Sequence, residues 1–295
     1  MSKSFLMKSE PLHKSLLFVA DYFAEQVVGG AELTTESIIK DSPVSVQKIL
    51  SSQINVDFVK QHKDEYWIFG NFSMISKDLL LFIAKNLKYS VIEYDYKYCK
   101  YRSPEKHTFY EKKCECENER DGKIVSIFLA KASSLWFMSQ QQKDYYEKKF
   151  DFLQKDKSFV LSSILSSETL QYIKDLKTDD KSNEWLVLDS ESWIKGTNSA
   201  IEYASKNNLK ARVIKNLPHR QLLAEMAIAK GLIFLPPGMD TCPRVVIEAK
   251  LLGCELALNK NVQHLDEEWF INEQEIYNYL ENRTSFFWNE ISKEI

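Results

Sequence analysis

Residues 234–249 read FLPPGMDTCPRVVIEA and predict a strand, a tight turn and a helix in succession. The apolar run ends at Leu235, a Pro-Pro-Gly turn follows, and Pro243 stands near the first helical turn, where proline is tolerated. Apolar residues then occupy most positions of the helix, which indicates that nearly all of its surface is buried. A strand that leads through a short loop into a buried helix is typical of an α/β fold.

Two carboxylates flank the start of this helix. Asp240 precedes it and Glu248 lies inside it, eight residues further on. A buried carboxylate needs a hydrogen-bond partner, and ribose hydroxyls could supply one. The backbone amides near Thr241 and Cys242 would then face a phosphate, because a helix N-terminus favours anions. The alternative is a helix with an Asp cap and a surface Glu, which the apolar residues around Glu248 disfavour.

The same alternation of apolar bursts and helical patterns runs along most of the chain and predicts two α/β halves. A polar stretch near residues 150–158 suggests a boundary, which gives an N-terminal domain over 1–157 and a second domain over 158–280. A helical tail in two pieces follows, with residues 281–295 as the last one. Two halves of similar size imply a cleft between them. The predicted strands are Leu16–Ala20, Tyr66–Phe69, Tyr89–Glu93, Ser134–Met138, Phe159–Leu161, Trp185–Leu188, Ala211–Ile214, Gly231–Leu235 and Glu255–Asn259.

Composition narrows the class of protein. The 295 residues carry a net charge of -3, which gives no reason to expect nucleic acid or an acidic membrane as a partner. No apolar run reaches the roughly 20 residues that span a bilayer, and the run Leu16–Ala20 is too short for the core of a signal peptide. Five cysteines, an odd number, argue against a disulfide scaffold. We therefore expect a cytoplasmic globular protein.

Two further segments have the features of a phosphate site. Gly29 and Gly30 follow the first strand and open a helix, so backbone there can approach a ligand closely. Lys195 and Gly196 follow the strand Trp185–Leu188 and precede another helix, so the lysine could meet a diphosphate as a point charge. For each segment alone, an ordinary turn or a solvated surface lysine is the simpler interpretation.

The order of these segments resembles the GT-B glycosyltransferases of family 4. Members of that family carry a Gly-Gly loop after the first strand, a Lys-Gly at the start of the first long helix of the C-terminal domain, and a Glu-x7-Glu motif. Asp240 and Glu248 have the spacing of that motif, and residues 286–290 resemble the final helix that returns to the N-terminal domain. The likeness covers most of the chain, but only the C-terminal motif is specific.

The resemblance implies two Rossmann-like domains that face each other across a cleft, with a C-terminal helix crossing back to the first. It implies that Glu248 holds the ribose of the nucleotide, that Lys195 and the backbone of Gly30 hold the diphosphate, and that Asp240 lies near the donor sugar. The family retains anomeric configuration and usually needs no metal. The predicted catalytic residues are Asp240 and Lys195, and the predicted nucleotide-sugar-binding residues are Gly29, Gly30, Lys195, Thr241, Cys242, Arg244 and Glu248.

The chain departs from the family pattern in the charge that should meet the diphosphate. Asp240 replaces the first Glu of the motif, Asp189 stands where the family usually has an Arg, and the chain is short for the family. Glu93 and Asp95, at the end of a predicted strand, could instead hold Mg²⁺ or Mn²⁺ against the diphosphate, although an ordinary polar strand end is the simpler interpretation. The other candidates for the missing positive charge are Arg244, Arg102 and Lys100.

A long segment over residues 96–120 shows little periodicity and is predicted to be an excursion at the end of a strand, where ligands bind in open α/β sheets. Its cysteines and histidine could form a tetrahedral zinc site that pins the loop, but their spacing matches no common zinc finger, and free thiols are the alternative. Its tyrosines could stack on a sugar or simply pack. The zinc candidates are Cys99, His107, Cys114 and Cys116, and the tyrosines are Tyr94, Tyr96, Tyr98, Tyr101 and Tyr110.

These observations predict a glycosyltransferase that moves a hexose-type sugar from a nucleoside diphosphate, with UDP favoured, to an unidentified glycan or other small acceptor. Two other functions stay open. Asp189 and Asp240 are compatible with a sugar-nucleotide-binding protein whose transfer activity is weak or lost, and an epimerase of the related two-domain fold would bind the same ligand.

Overall fold

Residues 16–295 are described by a computed structural model. They form ten β-strands and eleven α-helices that alternate along the chain, as the apolar pattern predicts. In chain order the elements are β1 (Leu16–Ala20), α1 (Gly30–Lys40), β2 (Val46–Leu50), α2 (Val56–Gln61), β3 (Tyr66–Phe69), α3 (Lys77–Asn86), β4 (Tyr89–Glu93), α4 (Pro104–Glu111), α5 (Arg120–Lys131), β5 (Ser134–Phe137), α6 (Gln140–Lys149), β6 (Ser158–Val160), α7 (Ser167–Leu176), β7 (Trp185–Leu188), α8 (Thr197–Lys206), β8 (Ala211–Ile214), α9 (His219–Ile228), β9 (Gly231–Phe234), α10 (Arg244–Leu251), β10 (Glu255–Leu258) and α11 (Glu273–Ser292).

The first sheet has six parallel strands in the order β2-β1-β3-β4-β5-β6. Strands β1, β3, β4 and β5 are buried along their whole length, which explains why each is a nearly continuous apolar run. Successive side chains point to opposite faces of a strand. Leu16 and Phe18 therefore pack in one hydrophobic cluster, while Leu17 and Val19 pack in another on the far side of the sheet.

The second sheet has four parallel strands in the order β10-β9-β7-β8. In each sheet the chain first adds a strand on one side of its first strand and then returns to the other side. Ligands bind outside the carboxyl ends of the strands at such a switch point. In the first sheet the loops at that point follow β1 and β3, and in the second sheet they follow β7 and β9. The quoted stretch 234–249 supplies the last of these loops.

The predicted domain boundary at residue 157 is misplaced by one strand. β6 pairs in parallel with β5, with Leu135 opposite Ser158, and so extends the first sheet. The short apolar run of β6 predicts a strand but does not indicate which sheet that strand joins, so its assignment to the second half was wrong. The chain crosses between the sheets after Val160.

The C-terminal helix returns to the first half, as predicted. The Trp288 indole N–H donates to the carbonyl of Ile38 at 3.0 Å, and the Phe287 and Trp136 ring centroids are 4.8 Å apart. The tail is one 20-residue helix and not two pieces. It begins where the side chain of Asn272 caps it by accepting from the backbone N–H of Glu275 at 3.0 Å, and neither glycine nor proline interrupts it.

The sequence pattern did not reveal β2, α2, α4, α5 and α7. β2 is a partly exposed edge strand, and α4 buries only Pro104 and His107, so neither carries a strong apolar period. Within residues 16–295, the helices are too short or too polar to cross a membrane.

Candidate functional site

A cavity of about 290 Å³ opens between the switch points of the two sheets. Both halves of the chain line it, so the cleft implied by the sequence exists. The polar and charged lining residues are Asn71, Asp95, Arg102, Ser103, Lys106, Ser163, Ser192, Lys195, Asp240, Thr241 and Arg244. The other lining residues are Gly30 and Ala31 at the start of α1, together with Tyr94, Tyr101, Met138, Trp193, Ile194, Met239, Cys242 and Pro243.

The N-terminus of α1 faces this cavity. Gly29 is the extended residue before the helix and has no side chain with which to cap it, so the first backbone N–H groups are left to other partners. Gly30 lines the cavity, and a Cβ there would meet only the Cβ of Arg244, at 3.9 Å. The absence of a side chain at Gly30 therefore keeps space open between the two halves. Gly29, which was predicted to bind the nucleotide sugar, is not among the lining residues.

The start of α10 faces the same cavity from the other half, through Cys242, Pro243 and Arg244. Two helix N-termini thus converge on one space, and each favours an anion. The loop before α10 is held in place by the first half. The Thr241 hydroxyl donates to the carbonyl of Tyr94 at 2.7 Å, and the Ser163 hydroxyl donates to the carbonyl of Cys242 at 2.7 Å.

The side chains of Thr241 and Cys242 are therefore engaged in contacts within the protein. The backbone N–H of Ser163 donates to the Cys242 sulfur at 3.3 Å. Burial raises the pKa of the Cys242 thiol to about 12. A thiol that stays neutral near pH 7 is a poor nucleophile, so Cys242 helps to shape the cavity and does not suit covalent chemistry.

Lys195 and Asp240 meet at the cavity wall. The Lys195 ammonium lies 3.1 Å from a carboxylate oxygen of Asp240. The close approach of their loops depends on Gly196, whose backbone is left-handed with φ of 64°, and where a Cβ would lie 2.1 Å from the carbonyl oxygen of Leu235. The Lys-Gly pair predicted from sequence is therefore set by geometry, since only glycine fits at the second position.

The cavity carries an excess of positive charge. Its lining includes four cationic side chains and two carboxylates. The carboxylates are Asp95 and Asp240, and the cations are Arg102, Lys106, Lys195 and Arg244. Arg244 is also paired with the buried Glu248 at 2.7 Å, so four cations and three carboxylates leave a net charge of about +1. A concave site of this sign with two helix N-termini is suited to an anionic ligand.

Arg102 brings one of these cations from the first half. Its guanidinium lies 2.6 Å from a carboxylate oxygen of Asp95 and donates to the side-chain oxygen of Asn71 at 2.5 Å. Its backbone is left-handed, with φ of 55°, which is uncommon for a residue with a side chain. Arg102 is one of the sources of positive charge that the sequence indicates, and the structure places it in the cavity. Lys106 also lines the cavity, and no sequence pattern singles it out.

The other candidate positions for that charge lie outside the cavity lining. Asp189, at the position of the family's usual Arg, is paired with Lys215 at 3.3 Å. Lys100 is exposed and pairs with Glu111 at 2.7 Å. Neither Asp189 nor Lys100 lines the cavity.

The expectation that Glu93 and Asp95 face the cleft together is wrong for Glu93. Its side chain is fully buried, and one oxygen accepts hydrogen bonds from the backbone N–H of Lys97 and the hydroxyl of Tyr146, both at 2.7 Å. The Lys97 ammonium lies 3.2 Å from the other oxygen. Side chains two residues apart share a face only while the strand continues. Because β4 ends at Glu93, the Glu93 side chain stays in the core, whereas Asp95 lies in the following turn and reaches the cavity.

Glu248 is also buried, with an exposed fraction of 2%. One of its oxygens accepts from Arg244 Nε at 2.7 Å and lies 2.8 Å from His219 Nε2. Burial alone would raise the pKa of Glu248, but the charge of Arg244 and the hydrogen bond with His219 hold it below its usual value. Glu248 does not line the cavity, whereas its partner Arg244 does. The ribose contact stays a prediction, and His219 is a partner that the sequence did not indicate.

The excursion over residues 96–120 folds into α4 and its flanking turns. Tyr96 and Tyr98 are buried and pack, whereas Tyr94 and Tyr101 line the cavity. Behind Tyr101 the chain gathers a set of side chains that we call the thiol–imidazole cluster: Cys99, His107, Cys114 and Cys116, whose sulfur and ring nitrogen atoms all lie within 4.8 Å of one another.

By sequence, the chain matches neither a known protein family nor a curated protein. Solved structures match it over nearly its whole length. Anabaena HepE in complex with UDP and glucose is 12% identical and has a TM-score of 0.56, with 96% of this chain and 95% of HepE covered. A trehalose-6-phosphate structure from E. coli bound with UDP-2-fluoro glucose is 9% identical, with a TM-score of 0.58 and coverage of 95% and 96%.

WaaG, a glycosyltransferase involved in lipopolysaccharide biosynthesis, is 13% identical and has a TM-score of 0.53, with 92% of this chain and 90% of WaaG covered. Identities this low establish the fold alone. The chain has the GT-B fold, with two parallel Rossmann-like sheets across a cleft and a C-terminal helix that returns to the first. The fold predicted from sequence is confirmed.

Proposed function

We propose that this protein is a glycosyltransferase that uses a nucleoside-diphosphate sugar as donor. The observation that carries the proposal is the cavity itself, in which two helix N-termini and an excess of cationic side chains surround a space between two Rossmann-like sheets. A diphosphate matches the sign of that charge and is an anion of the kind that helix N-termini favour. The Rossmann-type strand ends on either side suit a nucleotide and a sugar.

We propose UDP as the nucleotide. The support comes from the solved neighbours, since HepE is seen with UDP and with UDP-glucose, and the E. coli structure is bound with UDP-2-fluoro glucose. A hexose of the glucose type is the corresponding donor sugar. The acceptor, a glycan or another small molecule, would enter beside the first half of the chain.

In the proposed reaction, an acceptor oxygen forms a bond to C1 of the sugar as the bond from C1 to the diphosphate breaks. The acceptor oxygen attacks from the face that the diphosphate leaves, so the acceptor proton passes to the leaving phosphate oxygen and the anomeric configuration is retained. Lys195 and Arg102 would stabilise the charge that grows on the leaving diphosphate, which is the largest contribution such a site can make. Asp240 would hold Lys195 in position from 3.1 Å.

This mechanism assigns the neutralisation of the diphosphate to side chains. Asp95 is the carboxylate that the first half contributes to the cavity, and it is already paired with Arg102. A Mg²⁺ or Mn²⁺ ion between Asp95 and the diphosphate would have to compete with that arginine. We therefore propose that transfer does not require a metal, which an EDTA arm of the assay tests.

A thermal-shift screen of UDP, UMP, uridine, GDP and ADP, with Mg²⁺ or with EDTA, tests the donor. A ligand that binds the folded state raises the melting temperature by mass action, so UDP should produce the largest shift and uridine the smallest. If no nucleoside diphosphate shifts the melting temperature, the proposed site is wrong. Release of UDP from UDP-glucose in the presence of candidate acceptors then tests transfer.

The second candidate is a sugar-nucleotide-binding protein without transfer activity. It is favoured by the ion pair of Lys195 with Asp240 and by the pairing of Asp189 with Lys215, because one cation of the site is engaged and another is missing. UDP binding without turnover of UDP-glucose by any acceptor would favour this candidate. Release of an epimerised sugar nucleotide with no glycoside would instead indicate an epimerase.

A further inference from the structure

The thiol–imidazole cluster lies in the connection between β4 and α5, outside the cavity. Cys99, Cys116 and His107 are each no more than 3% exposed, and Cys114 is half-buried. His107 is unusual for its helix, since α4 is otherwise polar and buries only this residue and Pro104. The buried side chain of His107 faces three cysteines, which indicates that its imidazole binds a ligand.

Three of the six distances between the ligand atoms match those of a tetrahedral metal site. Cys99 Sγ and Cys114 Sγ are 3.7 Å apart, and His107 Nδ1 lies 3.6 Å from Cys99 Sγ and 3.3 Å from Cys116 Sγ. With Zn–S of about 2.3 Å and Zn–N of about 2.0 Å, a zinc tetrahedron has edges of about 3.8 Å between sulfurs and about 3.5 Å between sulfur and nitrogen. All six distances are at most 4.8 Å, so shifts of the side chains would bring all four atoms within reach of one ion.

The residues around the cluster supply the outer contacts that a zinc site uses. His107 Nε2, the ring nitrogen that points away from the cysteines, lies 3.1 Å from a carboxylate oxygen of Glu111. A carboxylate on the far nitrogen of a histidine ligand fixes its tautomer and strengthens it as a ligand. That tautomer leaves the lone pair of Nδ1 directed at the sulfurs.

The sulfurs have outer contacts of the same kind. The backbone N–H of Tyr101 hydrogen-bonds to Cys99, and the backbone N–H of Lys100 hydrogen-bonds to Cys116, and both favour the thiolate. Thiolates are the form in which cysteine binds metal, so these N–H groups are placed to stabilise metal-bound sulfurs.

We propose that Cys99, His107, Cys114 and Cys116 bind a structural zinc ion that clamps the excursion behind the nucleotide cavity. Three thiolates and one imidazole complete a closed four-coordinate site, which leaves no position for a substrate. The ion joins the turn at Cys99 to α4 and to the turn before α5.

The clamp has a consequence for the cavity. The backbone N–H of Arg102 donates to the carbonyl of Cys99 at 2.8 Å, and that of His107 donates to the carbonyl of Ser103 at 3.0 Å. The residues that this segment sends into the cavity, Arg102, Ser103 and Lys106, therefore stand between two ligands of the metal. The positions of these three residues would therefore depend on a zinc ion that makes no contact with the sugar-nucleotide donor.

Metal analysis of the full chain tests the proposal directly. Protein purified under reducing conditions, from cells grown with zinc and with no metal added later, should hold about one zinc per chain. X-ray absorption should show a shell of three sulfurs at about 2.3 Å and one nitrogen at about 2.0 Å. Metal-free protein that takes up neither Zn²⁺ nor Co²⁺, or a zinc shell of oxygen and nitrogen alone, would overturn the proposal.

Variants separate the cluster from the other cysteines. Cys114→Ser removes the least buried ligand and should lower zinc retention against a chelator at least 100-fold, whereas Cys254→Ser, a buried cysteine that donates to the carbonyl of Met226, should retain it. Glu111→Gln keeps all four ligands and should weaken zinc binding about 10- to 100-fold. Equal loss of zinc in Cys254→Ser and Cys114→Ser would contradict the assignment.

The cobalt spectrum of the wild-type chain gives an answer even if a ligand variant fails to fold. Co²⁺ in a Cys₃His site should give intense tetrahedral d–d bands and thiolate-to-metal charge transfer. Weak octahedral bands would refute the site. Both results are independent of whether UDP binds, so the zinc proposal and the proposed function fail separately.

Discussion

Replacement of Arg102 by alanine tests how the chain meets the charge of a diphosphate. The guanidinium is one of four cations around the cavity, and its side chain is 35% exposed. A hydrogen bond to a charged group contributes about 1.5–3 kcal/mol, and the partial exposure favours the lower half of that range. We expect UDP to bind about 10- to 50-fold more weakly to Arg102→Ala, since about 1.4 kcal/mol corresponds to tenfold.

Isothermal titration with UDP, UMP and uridine measures the effect. Uridine carries no phosphate, so its affinity should not change, and UMP should lose less than UDP. Arg102→Ala also leaves the Asp95 carboxylate without its partner at 2.6 Å, and the double variant with Asp95→Asn should therefore recover part of the loss. Arg120, an exposed arginine paired with Asp78 at 2.8 Å, provides a matched control. Wild-type affinity of Arg102→Ala for UDP, or an equal loss for uridine, would refute the reasoning.

Three other substitutions test separate parts of the structure. Lys195→Met should lower kcat for transfer from UDP-glucose about 100- to 1000-fold, because it removes a group that stabilises the leaving diphosphate, and an unchanged kcat would exclude a catalytic role for Lys195. Gly196→Ala should lower the free energy of unfolding in urea by about 2–4 kcal/mol, since it combines left-handed strain with a Cβ 2.1 Å from a backbone oxygen. Gly253 has a similar φ of 79°, but a Cβ there would make only an ordinary contact at 3.8 Å with the Lys181 side chain, so Gly253→Ala should cost only about 1 kcal/mol. An equal loss in both variants would show that the clash at Gly196 is not real. Burial lowers the pKa of His264 to about 3, so below pH 6.5 the unfolded chain gains a proton that the folded chain does not. The free energy of unfolding should therefore decrease as the pH is lowered, and between pH 7 and 5 the wild type should lose about 2 kcal/mol more than His264→Phe. Parallel stability curves for the two proteins would argue against this.

Much of the fold followed from local sequence. Strands β1, β3, β4 and β7 lie at their predicted bounds because a parallel strand buried on both faces must be a short, continuous apolar run. The stretch 234–249 forms the predicted strand, turn and helix for the same reason. The edge strand β8 also lies at its predicted bounds, although it is largely exposed. The strand β6 shows the limit of this reasoning, since its three residues carry no mark of the sheet that they join.

The candidate site was also only partly predictable from the sequence. The sequence identified the segments that reach the cavity, Gly30, Lys195 and the start of α10, because each combines a strand end with a glycine or a helix N-terminus. It did not place the charged side chains correctly in every case. Glu93 was expected in the cleft and is buried under Tyr146, and His219 was not expected beside Glu248.

What the sequence by itself determined is therefore which backbone segments form the cleft. Only the tertiary structure decided which side chains are free to act there, because pairing between charges depends on distances across segments far apart in the chain. Arg102 reaches the cavity from an excursion that has no periodicity, and Asp189 is turned toward Lys215 instead. The thiol–imidazole cluster is the clearest case, since its spacing matches no common zinc finger and yet its four ligand atoms lie within 4.8 Å of one another.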